Sequence, residues 1–78
     1  MGLREVLQTA LAELVALTGC RPAGVRAAAR QGDGWRLRVE LVERPGVPDS
    51  MDVLGLYEVQ ADGDGHVVAF ARKALRRR

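Results

Sequence analysis

An α+β fold is predicted for this chain: one N-terminal amphipathic helix packed on a four-stranded antiparallel sheet made of two hairpins. Three observations predict it. Apolar residues recur at three- and four-residue spacing from Leu3 to Leu17, the period of a one-sided helix. Residues 35–42 alternate strictly, with Trp35, Leu37, Val39 and Leu41 set against Arg36, Arg38, Glu40 and Val42, the period of a half-buried strand. Gly-Asp-Gly occurs twice, at Gly32 and at Gly63, and both glycine and aspartate suit the backbone of tight reversals.

The helix is expected over residues 3–18. Leu3, Val6, Leu7, Ala10, Leu11, Leu14 and Leu17 form one stripe, and Ala and Leu are strong helix formers. Gly19 suits the left-handed position past a helix end, and Pro22 blocks continuation. No good N-cap precedes Leu3, which leaves room for a longer natural amino terminus. A first strand over residues 25–31 is rich in Ala and weak in propensity. After Gly32-Asp33-Gly34 the second strand, residues 35–44, pairs back against it. Pro45, Gly46 and Pro48 then force a loop, with a short helical turn at Asp49 to Val53 capped by Asp49 or Ser50. A third strand over 54–61, a reversal at Asp62-Gly63-Asp64-Gly65 and a fourth strand over 66–74 complete the set. The similar turns are more simply two uses of one favourable motif than an internal duplication, and strand order stays open.

Seventy-eight residues make a single domain, 1–78, and so short a chain hides only about 60% of its unfolded surface. The lone Cys20 cannot close an internal disulfide, which fits a reducing cytosol. No apolar run approaches the roughly 20 residues of a membrane helix, and the start of the chain lacks the pattern of a signal peptide. A cytoplasmic protein is expected. The net charge of +2 is uneven: setting aside Arg72, Lys73, Arg76, Arg77 and Arg78 leaves seven basic against ten acidic residues. A body of −3 thus carries a basic end of +5, by default a solvated tail.

The search for chemistry returns little. The only serine is Ser50 and the only histidine is His66, so no nucleophile–base set is indicated. Cys20 reads as a small buried residue, and His66 as a solvent-facing strand end. Asp62-Gly-Asp64-Gly fails the calcium-loop pattern, with Gly at positions two and four and Lys73 at twelve. Both Gly-Asp-Gly turns lead into strands rather than helices, so neither cradles phosphate. No catalytic residue, metal ligand or cofactor site is expected. The arginines could meet nucleic acid, but the aromatics are only Trp35, Tyr57 and Phe70, too few and too committed to a core to stack bases.

The order of short motifs along the chain carries more. Leu17-Thr18-Gly19, Gly34-Trp35, Val39-Glu40, Pro48-Asp49, Asp52-Val53-Leu54, Tyr57-Glu58-Val59 and Asp62-Gly63 precede a basic carboxyl end. In that sequence and spacing, over nearly the whole chain, they resemble the gas vesicle protein O (GvpO) family. The resemblance implies an accessory protein of gas vesicles, the gas-filled, protein-shelled compartments that give some microbes buoyancy. It implies a role in shell assembly through contacts with other gas vesicle proteins, shell or accessory. It implies no enzymatic activity, no cofactor, no small-molecule substrate, no membrane partner, and a cytoplasmic place at the vesicle. Many members carry a longer polar amino-terminal extension. The expected contact surface is the open sheet face with Arg36, Arg38 and Glu40, the edge strands, and the basic end with Arg72, Arg76, Arg77 and Arg78. A small nucleic-acid-binding regulator using that same end is the alternative, and the residues speak against it.

Overall fold

The computed structural model describes residues 2–78. Helix α1 spans Leu3–Thr18, followed by strands β1 (Arg21–Gln31), β2 (Gly34–Arg44), β3 (Val53–Ala61) and β4 (Val67–Arg77). The strands form one antiparallel sheet in the order β1-β2-β3-β4, so the two hairpins are joined edge to edge by β2 and β3. The helix begins and ends where the apolar stripe does. Its end is set by Gly19 at φ 73°, whose N–H donates to Val15 O at 2.8 Å.

The helix lies across the middle strands. Val6, Ala10 and Leu14 are fully buried, as are Leu37, Val39 and Leu41 of β2 and Val59 of β3. Leu7, Leu11, Cys20, Trp35 and Val67 close the margin of this core. Trp35 therefore sits on the helix side as its alternation predicts, with the Arg30 guanidinium 4.9 Å above its ring. Gly55, opposite Leu41, is where Glu43 and Tyr57 cross the sheet. A Cβ there would collide with the Glu43 carboxylate and the Tyr57 ring.

Two elements extend further than the pattern indicates. β1 starts at Arg21 and runs through Pro22, because an edge strand can place a residue without an N–H on its unpaired side. β4 continues to Arg77, pairing Arg76 with Leu54 and Arg77 with Val53. The basic end is thus ladder, not a solvated tail, and Arg78 N–H donates to Asp52 O at 2.8 Å. The turn at Asp49–Met51 is a single 3-10 turn, and it lacks the expected side-chain cap from Asp49 or Ser50. Its closing bond is Asp52 N–H to Asp49 O at 2.9 Å.

Helix and sheet are tied at the far end by Glu13. Its Oε1 accepts the Val67 N–H at 2.7 Å and its Oε2 lies 2.6 Å from His66 Nδ1. His66, expected to face solvent alone, is exposed but held. Its bond to Glu13 raises its pKa above 6.5, and the same bond holds Glu13 below the usual carboxylate range.

Candidate functional site

The face of the sheet away from α1 carries no helix, and only at the end near the β2–β3 loop are its apolar residues, Val42 and Leu54, buried. Register places Arg36, Arg38 and Glu40 of β2 on this face, beside Gln60, Glu58 and Leu56 of β3. The flanking strands present small residues: Ala29 and Ala27 opposite Arg36 and Arg38, and Ala69, Ala71 and Ala74 opposite Gln60, Glu58 and Leu56. Charged residues therefore run down the centre, with alanine on both sides.

The charges are held in place. Arg36 Nη2 donates to Glu58 Oε1 at 2.9 Å, and Arg38 Nη2 stands 3.7 Å from Glu58 Oε2. Glu40 is only 6% exposed and accepts two bonds from Arg76, at 2.6 and 2.9 Å, with Arg26 at 3.4 Å. A carboxylate so buried needs such partners to stay charged. The Arg76 bonds, then the Arg76 and Arg26 charges, hold Glu40 below its ordinary pKa, and Arg36 does the same for Glu58. Asp52, fully buried at the end of the sheet, accepts the Gly46 N–H at 2.6 Å and lies 3.2 Å from Arg78 Nε and 3.7 Å from Arg21. That cluster binds the β2–β3 loop to the first and last strands.

The open face is not flat. A depression of about 340 Å³ is lined by Arg26, Ala27, Arg38, Glu40, Leu56 and Arg76 among others. A second, of about 260 Å³, shares Arg38 and Leu56 with it and adds Glu58 and Lys73. A third, of about 180 Å³, shares Glu58 and Lys73 and reaches Gln60, Ala69 and Ala71. Together they form one trough running obliquely across the sheet.

Of the residues expected to form one contact surface, Arg36, Arg38, Glu40 and Arg76 do meet on this face. Arg72 does not: it lies opposite Tyr57 on the helix side and bonds Glu43 at 3.2 and 3.3 Å. Arg77 alternates to the same side, and Arg78 is drawn to Asp52. The edges are also less receptive than expected, since β1 and β4 each carry two register irregularities. Bulges of that kind discourage a further strand from pairing.

Sequence reasoning missed Arg26, and counted Lys73 only within the basic end. Both sit at register shifts, between Val25 and Ala27 and between Arg72 and Ala74. There the extra residue turns two neighbours toward one face, and period-two counting misplaces them. Lys73 has no carboxylate within ion-pair distance among the described residues. Trp35 and Tyr57 belong to the helix-side core, and Phe70, which pairs with Val59 and stands 6.1 Å from Tyr57, also borders the third depression.

The remaining candidates for chemistry stay apart. Cys20 is half-buried rather than buried, with its Sγ 3.7 Å from Thr18 O. His66 and Glu13 are engaged with each other. Among the described residues no three His, Cys, Asp or Glu side chains gather as a metal site would require, and no helix is long and apolar enough to cross a membrane.

Comparison with known proteins gives a consistent result. The family model described as gas vesicle synthesis protein GvpO matches residues 1–78. A Streptomyces protein named gas vesicle protein O is 42% identical over 68 residues, 87% of this chain and 53% of that protein. Its namesake from Haloferax mediterranei is 48% identical over 46 residues, 59% of this chain and 33% of its own length. Gas vesicle protein O1 of Halobacterium salinarum is 45% identical over 47 residues, covering 60% and 40% of the two chains. The chain thus spans about half or less of the length of these relatives. No solved structure matches it.

Proposed function

The chain belongs to the family of gas vesicle synthesis protein GvpO, and from that premise we propose that it helps assemble the vesicle shell as a non-enzymatic accessory. It works through contacts with other gas vesicle proteins, shell or accessory, in the cytoplasm at the growing vesicle. The observation that carries this reading is the unoccupied sheet face, where Glu40 and Glu58 pair with four guanidinium groups. Paired charge on an open face favours protein recognition, because the bonded side chains lose less order on binding.

The nucleic-acid alternative finds less support. Arg76 and Arg78 are each bonded to a carboxylate, and of the aromatic rings only Phe70 borders the basic face, too few to stack successive bases. Gene deletion and complementation in a vesicle-forming host test the reading. Loss of vesicles by electron microscopy, restored by the wild-type gene, is expected. Normal vesicle number and shape in the deletion strain would overturn it.

A further inference from the structure

We propose that the trough on the open sheet face seats an acidic amphipathic α-helix contributed by a partner protein. This rests on the reading above, that the protein works through protein contacts, and adds what kind of segment it receives.

Shape is the first ground. Four strands about 4.8 Å apart span about 14 Å, enough for one helix of about 10–12 Å diameter. α1 covers only the other side of the sheet. Alanines at 27, 69, 71 and 74 keep the flanking strands low on either side of the charged centre, so a helix can settle along the oblique path from Ala27 to Ala69 and Ala71.

Charge is the second. The trough holds Arg26, Arg38, Lys73 and Arg76 against Glu40 and Glu58, a surplus of two positive charges, and Arg36 bonds Glu58 beside it. Four of the cations are anchored by the two carboxylates, and Lys73 is left over. Leu56 in the floor, half-buried and shared by two of the depressions, offers an apolar contact. A segment with carboxylates flanking an apolar stripe answers each of these features.

Other occupants fit less well. An added strand would have to pair with a bulged edge. A second copy would have to present acid from α1, which carries only Glu5 and Glu13, eight residues apart, the latter engaged with His66 and Val67.

The probe is a synthetic helical peptide with leucine on one face and glutamate flanking it, beside the same peptide with lysine in place of each glutamate. Binding is read by fluorescence anisotropy of a dye on the peptide. The acidic peptide is expected to bind, more weakly as salt rises from about 0.05 to about 0.5 M, and the basic one not to bind. Lys73→Glu removes a solvent-exposed, unpaired cation and leaves the core untouched. It is expected to weaken binding about tenfold or more. Arg4→Glu changes net charge equally but lies on the exposed side of α1, and is expected to bind as wild type. Ala71→Gln, which raises one wall without changing charge, is expected to weaken binding as well. Failure of the acidic peptide to bind, equal loss in Lys73→Glu and Arg4→Glu, or unchanged binding in both Lys73→Glu and Ala71→Gln would each overturn the proposal. A deletion strain that lacks vesicles would still leave the broader reading standing.

Discussion

Glu40 contributes both to stability and to the charge pattern of the open face. It is buried against the sheet and bonded by Arg76 and Arg26, whose side chains remain 52% and 60% exposed. Replacing Glu40 by Ala leaves two cations that water can reach, so the loss should fall near about 1–2 kcal/mol. That is well below the roughly 3–5 kcal/mol of pairs broken in a dry interior. For a domain of this size such a loss lowers Tm by about 4–15 °C, a shift that calorimetry resolves. A Glu40→Ala protein with unchanged Tm would show the cluster to be energetically idle. His66 and Glu13 give a pH signature. His66 has a raised pKa, so its contribution is complete below about 6.5 and fades as pH rises through the higher folded value; Glu13, depressed, contributes above about 4.5 and fades as pH falls through its lower folded value. The Tm difference between wild type and His66→Gln should therefore be greatest at about pH 5.5 and shrink by about pH 9. A difference that is flat with pH would mean that charge plays no part in the tie.

At the level of elements, β4 is held differently from its neighbours. Only Val67 among its residues is even half-buried, so backbone bonds to β3 and the Arg72–Glu43 and Arg76–Glu40 pairs keep it in place. β2 and β3 instead lie under the helix. Hydrogen exchange should find the amides of Leu37, Val39 and Val59 most protected, with those of β4 opening earlier and earlier still in high salt. Uniform protection across the sheet would contradict this. The same elements show what the sequence could reveal. α1 was readable to its last residue because its stripe is unbroken and Gly19 ends it. β2 was readable because its alternation is strict. The margins of β1 and β4 were not, since bulges at Arg26 and Lys73 break the count of two and the pairing of Arg76 with Leu54 is a long-range event that no local pattern encodes.

The whole molecule is an elongated body of about 40 by 19 by 18 Å, and its meander sheet has two unlike sides. One side is sealed by the helix; the other carries charge and no helix. The residues expected to share one surface are divided for this reason. Arg36, Arg38 and Glu40 follow from alternation alone, whereas Arg72, Arg77 and Arg78 depend on where β4 runs and which carboxylate each meets. Trp35, the only tryptophan, belongs to the sealed side. Its emission is accordingly a built-in optical gauge of helix–sheet contact, reddening when that seam opens. Occupation of the opposite side should leave the spectrum dark to the event, so one cuvette can tell a docked molecule from an unfolding one.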